Sequence, residues 1–117
     1  MTDFSYLNVD NAYKLINQKV TKTPLVTNDY INNLLEAEIY FKLENLQNTG
    51  SFKLRGATHK ITKLIETVKD SGVVAYSSGN HAQAVAYASM INTISAKIIM
   101  PKTAPQIIID NTKKFGA

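Results

Sequence analysis

The residue in this sequence best placed to do covalent chemistry is a lysine where a loop becomes a helix. Lys53 stands in Ser51-Phe52-Lys53-Leu54-Arg55-Gly56-Ala57, between an aromatic and a leucine. An amine attacks a carbonyl only when neutral, and an unperturbed lysine, with a pKa of about 10.4, is charged at neutral pH. The positive end of a helix disfavours the ammonium, and so does burial. Lys53, in a first helical turn beside Phe52, is placed for that effect and reads as an amine that binds a carbonyl. Phe52 is placed to pack against a flat heterocycle.

A second turn, Ser77-Ser78-Gly79-Asn80-His81, has the makings of an anion site. Free backbone N–H groups at a helix start bind carboxylates. Two hydroxyls and an amide add directed hydrogen bonds, and Gly79 lets a ligand approach the backbone. Each turn also has a plain alternative: a surface lysine at a helix start, and a Ser/Asn cap without a ligand. His81 has no second histidine near it in sequence, and His59 falls on the earlier helix, so no metal site is expected.

The elements that must hold these turns follow from periodicity. Val9, Ala12, Tyr13, Ile16 and Val20 recur at helical spacing, with Asn8 as the expected cap. Thr23-Pro24-Leu25-Val26 reads as extended, because the residue before a proline avoids the helical region. Thr27-Asn28-Asp29 opens a short helix expected to turn Ile31, Leu34 and Leu35 inward. Glu38–Leu43 reads as a strand. A helix capped by Ser51 follows, with Ala57, Ile61, Leu64, Ile65 and Val68 as its apolar stripe. Asp70-Ser71-Gly72 stops it, and Val73–Tyr76 is a short β-branched strand. Ala82, Val85, Ala86 and Ser89 give the next helix a face of small residues. Ala96–Met100 is a third strand. Thr103 and Pro105 mark a last helix start, with Ile108, Thr112 and Phe115 facing in.

Strand–helix three times over predicts an α/β fold, an open parallel sheet with flanking helices. Its strand-to-helix turns should lie on one edge, where ligands bind in such sheets.

Composition narrows the function classes. The chain has 117 residues, 44% of them hydrophobic and 19% charged, which suits one globular unit. It has no cysteine, so disulfides, cysteine-ligated zinc and thiol catalysis are excluded. The net charge of +4 comes from scattered lysines with one doublet, Lys113-Lys114, which does not make a nucleic-acid surface. Met1-Thr2-Asp3-Phe4-Ser5 has an early acid and no apolar core, so no secretory signal is expected. The apolar runs are too short to span a bilayer, and a cytoplasmic protein is expected.

Taken together, the two turns resemble those of the fold type II, or β-family, pyridoxal-phosphate enzymes, in the threonine dehydratase and serine racemase branch. The matching stretches are Thr23-Pro24-Leu25, Lys42–Gln47, Gly50–Ala57, Ser77–Gln83, Met100–Pro105 and Phe115-Gly116-Ala117, in order along nearly the whole chain. The resemblance implies pyridoxal 5'-phosphate as cofactor and a small amino acid as substrate. It implies that Lys53 forms the Schiff base with the cofactor and later moves protons. Phe52 lies near the cofactor ring, and Asn80 bonds the cofactor 3-hydroxyl. Ser77, Ser78, Gly79, Asn80 and His81 hold the substrate carboxylate. Ser78 is similar to the serine that, in the racemase branch, works on the face opposite the lysine, which implies a catalytic role for it. The implied reaction is dehydration of L-threonine or L-serine to a 2-oxo acid and ammonia, with serine racemisation as the alternative.

The family also needs a glycine-rich cup for the cofactor phosphate. The five glycines here, at 50, 56, 72, 79 and 116, are never adjacent. The expectation is therefore a single partial unit over 1–117: the N-terminal helices and the start of the small domain, without the phosphate cup and the C-terminal part. The intact protein is expected to be a homo-oligomer. A further alternative is a non-catalytic piece that only folds or associates, through exposed strand edges and apolar patches.

Overall fold

The computed structural model describes residues 5–117; the reading of Met1–Phe4 lies outside the described residues. Helix α1 (Tyr6–Ile16) begins at Ser5 rather than at Asn8, which sits inside its first turn. It leans on α3 (Lys53–Lys63), and the two helices bury Ile16 against Leu54, Ala57 and Ile61. Helix α3 breaks at Leu64, and a single turn, α4 (Ile65–Val68), follows it. The expected unbroken stripe therefore ends early, with Ile65 and Val68 only packed on the rim of the core.

The parallel sheet is smaller than its periodicity suggests. Strands β3 (Val73–Tyr76) and β4 (Ala96–Ile99) pair in parallel, Val73 opposite Ala96 and Tyr76 opposite Ile99. Helix α5 (Asn80–Ile91) is the crossover between them. The expected third strand does not join this sheet. Instead β2 (Tyr40–Lys42) pairs antiparallel with β1 (Leu25–Thr27) in a separate two-stranded ribbon. Thr23-Pro24 delivers an extended segment beside β2, so the shortest partner for β2 is its own sequence neighbour.

Gly72 makes the entry to β3 possible. Its φ is +75°, and a Cβ there would stand 2.7 Å from the Ser95 carbonyl oxygen. Only glycine accepts both the left-handed backbone and that close approach. The N–H of Val73 then donates to the same carbonyl at 2.9 Å, which sets the strand register.

Helix α5 is the centre of the core. Ala82, Ala84, Val85, Ala86, Ala88 and Ser89 are all buried, as the small-residue face predicts. Small side chains let α3 lie close on one side, while the inward residues Val73, Ala75 and Ile98 of the sheet pack against the same core. Helix α6 (Gln106–Lys114) packs on α5, with Asn111 donating to Gln83 at 3.0 Å and Phe115 meeting Tyr87 edge-on at 5.2 Å. The other face of the sheet, with Val74, Tyr76 and Ile99, is exposed.

Helix α2 (Asp29–Leu35) corrects one expectation. Leu34 and Leu35 are 67% and 58% exposed and do not face inward, while Ile31 is half-buried. Polar bonds hold the helix instead. The Asn28 side-chain oxygen, Oδ1, accepts from the Ile31 N–H at 3.1 Å and caps the helix, and the Asn32 side chain bridges Thr27 and Ile39 at 2.9 Å each. Among the described residues no helix is long and apolar enough to cross a membrane.

Candidate active site

A cleft of about 380 Å³ opens between the first two turns of α3, the edge of β3 and the start of α5. Phe52, Lys53, Gly56 and Lys60 line it from α3, Val74 and Ala75 from β3, and His81 from α5. The Lys53 turn and the Asn80 turn thus open onto the same side of the molecule. They meet through the packing of α3 on α5, and not through a shared sheet edge, because the strand before Lys53 belongs to the other ribbon.

Lys53 is exposed, which corrects the expectation that burial helps neutralise it. Its Nζ lies 4.9 Å from the centroid of the Phe52 ring, in the range of a cation–π contact. Phe52 is itself 60% exposed, its ring free to cover a flat ligand. Phe52, not Ser51, is the N-cap of α3, and it makes no side-chain cap bond. The Ser51 hydroxyl is buried and has no hydrogen-bond partner among the described residues.

At the second turn, Gly79 is the N-cap of α5 and no side chain caps the helix. The Ser77 hydroxyl accepts from the Gly79 N–H at 3.2 Å, which folds the turn back on itself. Asn80 and His81 open the helix, and N–H groups at that position have no partner within a helix. Ser78 and Asn80 are exposed, and Ser77 and Gly79 half-buried. Of these five residues only His81 forms part of the cleft wall; Ser77, Ser78, Gly79 and Asn80 adjoin it along the chain. Among the described residues no His, Asp and Glu cluster could hold a metal ion.

The donor set fits pyridoxal phosphate in part. Lys53, Lys60 and His81 bring three nitrogen-bearing side chains to the cleft, and among the described residues no carboxylate lines it, which suits an anionic aldehyde. A Cβ on Gly56 would meet nothing within 4 Å, so the cleft is open beside the lysine. An amine, an aromatic face and a helix start account for the aldehyde, the ring and a carboxylate. A cup of backbone N–H groups for the phosphate is not among the residues that line the cleft.

The sequence reading gave no role to a polar network beside the lysine. Arg55, the single arginine, donates to Glu44 through Nε at 2.9 Å and Nη2 at 2.6 Å. Nη2 also reaches the Thr21 carbonyl at 3.2 Å and the Thr23 hydroxyl at 3.3 Å. The Thr23 hydroxyl donates to the same carboxylate. Nearby, the Gln47 side chain bonds the Thr21 backbone in both directions, at 2.8 and 2.9 Å. One sign was available in the sequence: one arginine close after one glutamate, in a chain with few acids.

Hydrogen bonding from Arg55 holds the Glu44 carboxyl below its ordinary value of 4.5, with Thr23 adding to the effect and partial burial opposing it. The folded protein therefore binds this proton more weakly than the unfolded chain. The resulting stability is present above the unfolded value and is lost as pH falls through the lowered folded one. On acidification below about pH 4.5, the urea midpoint of the wild type should fall more steeply than that of Glu44→Gln. Parallel slopes for the two proteins would show that the carboxylate contributes nothing.

A family model described as pyridoxal-phosphate dependent enzyme matches residues 16–117. The chain is 42% identical to a serine racemase of Dictyostelium discoideum over 117 residues, covering 100% of this chain and 36% of that protein. It is 50% identical to a biosynthetic L-threonine dehydratase of Lactococcus lactis over 108 residues, covering 92% of this chain and 26% of that protein. The crystal structure of the Dictyostelium racemase superposes with a TM-score of 0.90 at 43% identity, over 95% of this chain and 36% of that one. A threonine deaminase from Solanum lycopersicum superposes at 0.81 with 34% identity, over 97% and 33%. The chain thus spans between about a quarter and just over a third of the length of these relatives, and its fold is the N-terminal part of theirs. The amine-bearing turn, the helix-start turn and the α/β frame that joins them belong together: this chain is a member of the pyridoxal-phosphate dependent enzyme family, of fold type II.

Proposed function

We propose that this chain is the amine-bearing unit of an enzyme that converts L-threonine or L-serine to a 2-oxo acid and ammonia. The observation that carries the reading is the single cleft reached by Lys53, Phe52 and His81. Lys53 would hold the cofactor through its amine until the substrate's amine displaces it, and the freed Lys53 amine would then take the proton from Cα. Phe52 covers one face of the cofactor ring, and Asn80 bonds its 3-hydroxyl. The start of α5, with Ser77, Ser78, Gly79, Asn80 and His81, orients the substrate carboxylate by helix-end N–H groups and hydroxyls. Bound pyridoxal phosphate supplies the electron sink for the pair left at Cα when its proton departs. Lys53, carrying the Cα proton, would hand it to the β-hydroxyl, which leaves as water as Cα and Cβ become doubly bonded; the released enamine would tautomerise to an imine, and water would hydrolyse it to the 2-oxo acid and ammonia.

Racemisation of serine is the second reading. It is favoured by the exposed hydroxyl of Ser78, next to the helix-start turn, and by the match to a serine racemase over the whole chain. There Ser78 moves a proton on the face opposite Lys53. Both readings carry the same setting: a small amino-acid substrate, a homo-oligomer in the cytoplasm, no nucleic acid and no membrane. Residues 1–117 form one partial unit, in which the 117 residues by themselves fold or associate without turnover.

Assay of the intact protein with pyridoxal phosphate separates these readings. Release of 2-oxobutanoate from L-threonine supports the first, and D-serine from L-serine, resolved on a chiral column, supports the second. An intact protein that binds the cofactor and changes neither amino acid would overturn both.

A further inference from the structure

We propose that the Glu44–Arg55 ion pair, clasped to Thr23, is the device that positions the Lys53 amine; the inference rests on the reading of Lys53 given above. The Lys53 amine lies over the Phe52 ring, and among the described residues no hydrogen bond or ion pair holds it. Its helix begins without a side-chain cap. The amine is therefore placed by the backbone of the first turn, and two neighbours in that turn hold the backbone. Leu54 anchors the inner side by full burial. Arg55 anchors the outer side through bonds to Glu44, the Thr23 hydroxyl and the Thr21 carbonyl.

The loop before Lys53 is tied at both ends to one short segment. Gln47 grips the Thr21 backbone at the loop's start, and Arg55 grips Thr21 and Thr23 beyond its end. Lys42 adds an ammonium bond to the Thr23 carbonyl at 2.5 Å. A planar guanidinium forked onto a carboxylate fixes direction as well as distance. Lysine offers a point charge and lacks that fork, so it could not hold the turn in the same way. Both members of the pair are shielded, with side-chain exposures of 26% for Arg55 and 15% for Glu44, so water competes weakly for the bonds. Rotation of the first turn of α3 would break them together, and the amine would swing with it.

The test uses the 117-residue chain, Glu44→Gln, Glu44→Asp and a control, Ile94→Val, which loosens the core outside the network. Each is mixed with pyridoxal phosphate, reduced with borohydride and mapped by peptide mass spectrometry. Backbone amide exchange over residues 48–55 is measured on the same samples. In the wild type Lys53 should carry more of the label than the other lysines. In Glu44→Gln its share should fall between about tenfold and a hundredfold, the scale of an ångström-level misplacement. Amides 51–55 should exchange faster, while those of α5 keep their protection. Glu44→Asp should recover part of both signals, and Ile94→Val should leave both as in the wild type. An unchanged Lys53 share with unchanged exchange in Glu44→Gln overturns the proposal, as does an equal loss in Ile94→Val. Should the wild type show no preference for Lys53, the reading of that amine fails. The exchange data then decide the clasp by themselves: selective loosening of 51–55 supports it, and none overturns it. If Glu44→Gln does not fold, the same comparison is made with Glu44→Asp against Ile94→Val.

Discussion

Lys53→Ala in the intact protein should remove turnover of L-threonine and L-serine while leaving the fold in place. Loss of a positioned proton-transfer group alone lowers rates by roughly 10²–10⁴-fold. Lys53 would also be the group that holds the cofactor, so the loss should lie at or beyond the upper end. The lysine side chain is exposed and buries nothing in the core, so thermal and urea midpoints should stay near those of the wild type. A small primary amine such as ethylamine, added at high concentration, should restore part of the rate by entering the open cleft beside Gly56. Normal turnover in Lys53→Ala would sink the assignment of the amine. A variant that lost both activity and stability would place Lys53 in the structure and not in the chemistry.

What the sequence made legible was local. The turn at Ser77–Gly79 leading into a helix, Gly72 as a stop, and the small-residue face of α5 all follow from residues within a few positions of one another. The helix of Ala82, Val85, Ala86 and Ser89 is buried where its pattern puts it, because small side chains have one use, close approach. What stayed hidden was pairing at a distance. Tyr40–Lys42 has the pattern of a strand, but nothing in that pattern says whether it joins β3 or β1. The partner was decided by the extended segment at Thr23-Pro24, which returns the chain to its side. Leu34 and Leu35 have helical spacing and yet face outward, since a hydrophobic stripe shows that a helix has an apolar side and not what covers it. The Glu44–Arg55 clasp escaped for the same reason. Its partners lie in three segments, and a guanidinium that closes such a gap has no periodicity to betray it.

Leu54→Ala should do to the fold what Lys53→Ala does to the chemistry. Leu54 is fully buried and belongs to the cluster of Ile16, Ala57, Ile61, Ala84 and Val85. Truncating such a leucine costs about 2–5 kcal/mol, the transfer term plus the cavity left behind. A domain of this size has a net stability of about 5–15 kcal/mol, so the variant keeps a fraction of it. The melting midpoint should fall by at least about 8 °C. The neighbours argue for the upper part of the range, because the alanines of α5 have no long side chains with which to refill the space. A loss below about 1 kcal/mol would mean that α3 can settle onto α5, and that their close approach is not fixed by Leu54. Lys53 and Leu54 lie about 100° apart around α3, which is enough to turn one to the cleft and the other into the core. The two substitutions should therefore separate: Lys53→Ala loses function at full stability, and Leu54→Ala loses stability while the folded fraction still takes the pyridoxyl label at Lys53.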